Sequence, residues 1–132
     1  MTRFVITPDV ALRLAADDAA IAEHHQLLAP TLLRSQLLAR LYQASQRGEL
    51  TKRDASLRLD YVRGLQLRLL GDRVLQRSAW AVAEKLGWPD TFDAEYVALT
   101  QLQADAFVTL DQHLAKAVTD LVTVAPIDAL YR

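Results

Sequence analysis

The sequence predicts an α/β fold in which a central, mostly parallel sheet is covered by helices on both faces. Two short apolar runs, at residues 4–7 and 106–109, each lead into an aspartate where a helical pattern begins, Asp9 and Asp111. Between them, short apolar runs alternate with stretches of helical periodicity. This alternation is typical of parallel strands joined by helices.

Composition indicates one folded domain spanning residues 1–132. The 52% of hydrophobic residues and 23% of charged residues are typical of a chain that buries one core. The absence of cysteine excludes disulfides and thiolate metal sites and fits the cytoplasm. A net charge of −1 argues against coating nucleic acid by bulk charge. No apolar run approaches the ~18 residues of a membrane helix, so we expect no membrane partner.

The first elements are a strand and two helices. The apolar run at 4–7 is interpreted as a buried strand that Pro8 ends. The apolar spacing from 10 to 15 then predicts a short helix. We interpret Asp18 as the cap of a second helix at 19–28.

The middle of the chain has clearer helix ends. Residues 27–30 form at most a very short strand. Helical spacing of leucines follows Thr31, and Gly48 closes that helix. Thr51 with Asp54 resembles a capping box that opens the next helix.

The last part of the chain continues the alternation and, like the rest, shows no linker and no internal repeat. The expected elements are, in order, a strand at 65–70, a helix at 74–86 closed by Gly87, a helix capped by Thr91, a strand at 106–109, a helix at 111–118 and a strand at 121–124. Trp80 and Trp88 are interpreted as core or interface anchors.

Three aspartates are candidate metal ligands. Asp9 and Asp111 follow strands that, if neighbours, end at the same carboxyl edge, where open α/β sheets bind ligands. Asp93 opens a helix of its own after residues 87–89. Carboxylates are the hard oxygen ligands that divalent cations take. Aspartate is also favoured at helix starts whatever the function, so capping stays an alternative for each.

Several sequence blocks occur in the order and spacing of a known family. They are residues 4–6 with 10–12 (FVI, VAL), 29–35 (APTLLRS), 47–50 (RGEL), 91–99 (TFDAEYVAL) and 104–111 (ADAFVTLD). Over nearly the whole chain they resemble a PIN domain of the VapC type, the toxin ribonucleases of bacterial toxin–antitoxin pairs.

The resemblance implies a PIN-like three-layer α/β fold and a metal-dependent endoribonuclease. In that family a cluster of acids binds Mg²⁺ or Mn²⁺, which activates water against an RNA phosphodiester. It also implies an RNA substrate, a homodimer, and a small antitoxin whose tail covers the acidic site.

The family positions match only in part. Asp93 and Asp111 stand where the family places carboxylates, whereas Thr7 and Gln36 stand where it has an aspartate and a glutamate. Asp9, two residues after Thr7, is either a replacement third ligand or a helix-start residue. We expect Thr7, Gln36 and Thr109 to support the ligands from outside the ion's own shell.

Two arginines and the missing acids leave alternatives open. Arg34 and Arg40 either steer RNA phosphates toward the acids or only solvate a helix face. The losses at Thr7 and Gln36 favour a second interpretation, a PIN scaffold that binds antitoxin or RNA without cleavage. A nuclease outside toxin–antitoxin systems is disfavoured by the short chain.

Overall fold

The centre of the molecule is a sheet of four parallel strands in the order β3-β2-β1-β4. The structure, a computed structural model, describes residues 1–132. The strands are β1 (Thr2–Ile6), β2 (His25–Pro30), β3 (Leu67–Leu70) and β4 (Ala106–Val108). Neighbouring pairs Phe4↔Ala106 and Ile6↔Val108 set the register of β1 and β4. The ends of these two strands therefore lie side by side.

Helices connect the strands and flank the sheet, which confirms the predicted α/β class. They are α1 (Pro8–Asp17), α2 (Leu32–Gln46), α3 (Lys52–Gly64), α4 (Arg73–Leu86), α5 (Phe92–Gln103) and α6 (Gln112–Ala117), and a 3₁₀ helix follows at Ile127–Tyr131. α5 packs on β1, β2 and β4, and α4 packs on α5. None of the helices combines the length and apolarity needed to cross a bilayer.

The core forms around the two inner strands, β1 and β2, and is deepest where β1 pairs with β4. Val5 and Ile6 of β1 and Phe107 and Val108 of β4 are fully buried. A parallel sheet buried on both faces reads as a continuous apolar run, which is why residues 4–6 and 106–108 were recognisable as strands.

The helix predicted at 19–28 is wrong. Asp18 does not open a helix but ends α1, in a left-handed conformation with φ of 47°. The chain then crosses an irregular stretch and enters β2, so His24 and His25 do not lie on a helix. Leu27 to Ala29 are buried between β1 and β3. Burial in the sheet outweighs the helical propensity of the alanine-rich sequence before them.

Two predicted helix caps and the last predicted strand have different outcomes. Thr51 caps α3, since its Oγ1 accepts a 3.0 Å hydrogen bond from the Asp54 N–H, as predicted. Thr91 makes no such bond, and Asp90 Oδ1 accepts from the Phe92 N–H at 3.1 Å instead. The last predicted strand, 121–124, is reduced to one bridge between Val124 and Phe107.

Candidate active site at the carboxyl edge of the sheet

The chain leaves the sheet early after β1. Thr7 continues the extended backbone, and Pro8 occupies the first position of α1, where its missing N–H and fixed φ suit a helix start. Asp9 therefore lies in the first helical turn and not on the strand.

The half-buried Asp9 carboxylate joins the ends of β1 and β4. Its Oδ1 accepts hydrogen bonds from the Thr7 hydroxyl and, at 2.9 Å, from the Val10 N–H. Its Oδ2 accepts from the Leu110 N–H at 3.1 Å and from the Thr109 hydroxyl at 3.4 Å. Four protein donors thus hold one carboxylate. Metal binding by Asp9 would have to displace or share them.

Asp111 caps α6. Its Oδ1 accepts from the backbone N–H groups of His113 at 3.0 Å and Leu114 at 3.1 Å. The Asp111 N–H donates to Thr109 Oγ1 at 3.1 Å, so Thr109 contacts both Asp9 and Asp111. The capping role is confirmed, yet Oδ2 accepts no hydrogen bond from the protein. Asp111 keeps one carboxylate oxygen for a ligand.

Asp93, in the first turn of α5, interacts electrostatically with the other acids. The pKa of its carboxyl group is raised, first by partial burial and then by the charges of Asp90, Asp111 and Asp9. The charge of Arg40 acts in the opposite direction. The three predicted acids therefore share one electrostatic neighbourhood, with Asp90 as a fourth negative charge.

Tyr96 is a part of this site that was not among the predicted site residues. It is buried, and its hydroxyl donates a 2.6 Å hydrogen bond to Gln36 Oε1. Burial raises the pKa of the Tyr96 hydroxyl well above its usual range, and Arg40 opposes that rise. The spacing of Tyr96 from Asp93 in the sequence indicates this position, because residues three apart share a helix face and Tyr96 follows Asp93 by three.

The two predicted steering arginines separate. Arg40 is exposed and acts electrostatically on Asp93 and Tyr96, so it belongs to the neighbourhood of the acids. Arg34 instead lines a different feature, an apolar groove between α2, α3 and β3.

That groove has a volume of about 370 Å³, and eight of its ten lining residues are hydrophobic. Leu38, on its α2 side, is 58% exposed. The two polar residues of the lining are Arg34 and Arg63. It is an apolar surface with basic side chains at its edge.

The acids at this edge do not form a three-ligand metal site. No group of three His, Cys, Asp or Glu side chains is placed to hold a metal ion. The Asp9 carboxylate is held by its four donors, whereas the Asp93 carboxylate accepts no hydrogen bond from the protein and Asp111 has one free oxygen. Mg²⁺ commonly takes only one or two protein carboxylates and completes its shell with water and phosphate. Asp93 and Asp111 are the two residues that would hold such an ion, and a three-acid set is not assembled.

No protein-family model and no curated protein matches the sequence. Solved structures do match the fold. PAE2754 from Pyrobaculum aerophilum superposes with a TM-score of 0.75 at 21% identity, over 98% of this chain and 93% of its own. VapBC2 from Rickettsia felis, bound to a promoter DNA fragment, gives 0.68 at 8% identity, over 94% of this chain and 98% of the matched one. VapBC-1 from nontypeable Haemophilus influenzae gives 0.64 at 11% identity, over 96% and 98%.

At these identities the likeness establishes the fold. The chain shares the α/β fold of these neighbours, which is the PIN-like fold that the sequence resemblance implied. The features of this chain that bear on its function are the four-stranded parallel sheet and the acids at its carboxyl edge.

Proposed function

We propose that the chain is a VapC-like toxin of the cytoplasm, a divalent-metal-dependent endoribonuclease that pairs with a small antitoxin and acts as a homodimer. The observation that carries the catalytic part is the grouping of Asp93 and Asp111 with Asp9 at the carboxyl edge of a PIN-like sheet. Such edges are where open α/β folds bind ligands.

In this proposal Asp93 and Asp111 hold Mg²⁺ or Mn²⁺. The bound ion would lower the pKa of a water and offset charge on the phosphate. Asp9 acts by positioning, because its bond to the Leu110 N–H fixes the turn that carries Asp111. Arg40 favours the ionised form of Asp93 and is placed to attract the RNA phosphates.

Support for the antitoxin comes from the groove between α2, α3 and β3. An apolar groove of this kind suits the apolar face of an amphipathic helix or an extended segment. Arg34 and Arg63 at its lining would favour a segment that carries acidic residues. VapBC2 and VapBC-1, whose fold this chain shares, are named as VapBC assemblies.

A second candidate function is a PIN scaffold that binds antitoxin or RNA without cleavage. Thr7 and Gln36 stand in place of acids, and Asp9 is held by four protein donors. Both candidates share the groove and differ only at the acids. The decisive experiment therefore measures metal binding and cleavage together.

Mn²⁺ is titrated calorimetrically into the metal-free protein, beside the double variant Asp93→Asn/Asp111→Asn. A matched control, Asp60→Asn/Asp120→Asn, removes two exposed carboxylates elsewhere. We expect saturable binding that only the first variant loses, together with Mn²⁺-dependent cleavage of total RNA that it also loses. Absence of binding at millimolar Mn²⁺ would exclude the nuclease and leave the scaffold.

The antitoxin is sought among small proteins encoded next to the gene for this chain, each of which is tested by co-expression. Expression of the chain is expected to arrest growth, and co-expression of the neighbour to restore it. Leu38→Asp places a charge in the groove and should prevent that rescue, whereas Leu57→Asp, at an exposed leucine outside the groove lining, should not. Rescue that is indifferent to Leu38→Asp would place the antitoxin elsewhere.

A further inference from the structure

The outer face of α4 carries a tryptophan that the core does not use. The inner face of this helix is buried through Leu75, Ala79, Val82 and Ala83. Trp80, on the other side, is 66% exposed. Trp88, by contrast, packs against the core. Tryptophan is the side chain that gains most from burial at an interface, so its exposure marks a candidate binding surface.

Two arginines accompany Trp80 on this face. Arg73, Gln76, Arg77 and Ala81 line a shallow depression of about 530 Å³ together with the indole. The ion pairs of the protein are Arg47–Glu49 and Arg63–Asp60, so neither Arg73 nor Arg77 is neutralised by a carboxylate. The depression combines one free aromatic face with two unpaired guanidinium groups.

We propose that this α4 face binds single-stranded RNA, with a base stacked on Trp80 and phosphates bound by Arg73 and Arg77. Binding to single strands joins these two elements, a positively charged track for the backbone and aromatic side chains for the bases. Residues four apart on a helix are about 6 Å apart along its axis, so the two cations form a short track beside the indole. The choice of RNA over DNA rests on the proposed ribonuclease function.

The charge of the α4 face favours RNA over a second copy of the chain as its partner. A two-fold interface on this face would bring the same patch of both copies together and oppose four arginines. The exposed acid on this side of α4, Glu84, lies a full turn beyond Trp80. A duplex is also a poor fit, because its bases are already stacked and give an indole no free surface.

The test measures affinity in EDTA, where metal-dependent cleavage cannot occur. Fluorescein-labelled oligouridine of 16 nucleotides is titrated with the full chain by fluorescence anisotropy. We expect Trp80→Ala to weaken binding roughly ten-fold or more, and Trp80→Phe to retain most of it, since loss of one stacked base has an effect of this size. Arg73→Gln/Arg77→Gln should lower the slope of log K against log salt by about 1.4, since each single-strand phosphate contact contributes ~0.7.

Lys52→Gln/Arg53→Gln is the matched control, because it removes two exposed cations from α3. It should leave the affinity for oligouridine and its salt dependence unchanged. Sedimentation is run on every variant. No binding by the unaltered chain, or equal affinity in Trp80→Ala, overturns the proposal. A fall in oligomer mass on Trp80→Ala overturns it too, because the face would then be a protein interface.

The outcome is separable from that of the proposed function. If Mn²⁺-dependent cleavage is absent but RNA binding depends on Trp80, the α4 surface stands and the nuclease fails. If cleavage is present and Trp80→Ala alters neither affinity nor salt slope, the nuclease stands and the α4 surface fails.

Discussion

The hydroxyl of Tyr96 donates a 2.6 Å hydrogen bond to Oε1 of Gln36 and so joins α5 to α2 beside the acids. Because Tyr96 is buried, its hydroxyl is fixed and holds the side-chain amide of Gln36 in one position at the site. The amide oxygen accepts the bond without adding negative charge. Gln36 therefore preserves the local geometry of a glutamate while reducing the pull of this edge on a cation.

Gln36→Glu should raise the affinity for Mn²⁺. The new carboxylate would accept the same Tyr96 hydrogen bond and add a negative charge near Asp93 and Asp111. We expect calorimetry to show binding tighter by roughly three-fold or more, on Coulombic grounds. Gln46→Glu adds the same charge at the far end of α2 and should have little effect. An equal gain from both variants would mean that residue 36 is outside the site.

Asp9→Asn should destabilise the fold. The amide keeps one acceptor oxygen but turns an NH₂ group toward donors, and so leaves the Val10 or Leu110 N–H without its partner. Loss of such a buried bond costs about 1–3 kcal/mol in the free energy of unfolding, measurable by urea denaturation. Asp120→Asn, at the surface, is the control. Unchanged stability combined with lost Mn²⁺ binding would identify Asp9 as a ligand instead.

The two roles of Asp111 can be separated by two substitutions. Asp111→Asn keeps an oxygen for the His113 and Leu114 N–H groups, whereas Asp111→Ala removes the cap. We expect the alanine variant to lose about 1 kcal/mol of stability, the asparagine variant much less, and both to lose Mn²⁺ binding. Thermal melts and calorimetry on the same samples test this. Metal binding retained in Asp111→Ala would limit this residue to capping.

Stability should fall at alkaline pH through Tyr61. Its hydroxyl donates a 2.5 Å bond to the Ala19 carbonyl, and burial, followed by the charges of Asp18, Tyr131 and Asp17, raises its pKa above 10.0. The unfolded chain releases this proton near pH 10 while the folded chain keeps it, so stability decreases as pH rises through that range.

Tyr61→Phe removes this contribution and should flatten the fall in melting temperature between pH 9 and about 10.5. At pH 7 the variant should be less stable by about 1 kcal/mol, the value of one hydrogen bond. Tyr42→Phe, at an exposed tyrosine, should have the same stability as the unaltered chain at pH 7 and across the alkaline range. The same alkaline slope in Tyr61→Phe would show that another group is responsible.

The strands that carry the site were predictable because their signals are local. Residues 4–6 and 106–108 are apolar runs long enough to recognise alone, and Asp111 follows a strand and opens a helix within a few residues. The position of Asp93 at the start of α5 is local in the same sense. These features place the acids at one edge without any knowledge of side-chain contacts.

The remaining features depend on contacts between distant parts of the chain. β2 was predicted only in part, as a very short strand at 27–30 overlapping a helix at 19–28, because its strand character comes from burial between β1 and β3. Two of the four donors that hold Asp9, Thr109 and Leu110, lie just after β4, and their position follows from the register Ile6↔Val108. The pairing of Gln36 with Tyr96 spans 60 residues and leaves no trace in either helix alone.

The bond from the Leu110 N–H to Asp9 can form only late in the synthesis of the chain. Its partners are 101 residues apart, and it exists only after β4 has paired with β1. During synthesis, which proceeds from the N-terminus, a nascent chain that has not yet reached residue 111 lacks both this bond and Asp111 itself. A partial chain that ends before residue 110 therefore lacks both an acid of this edge and a bond that holds Asp9 in place.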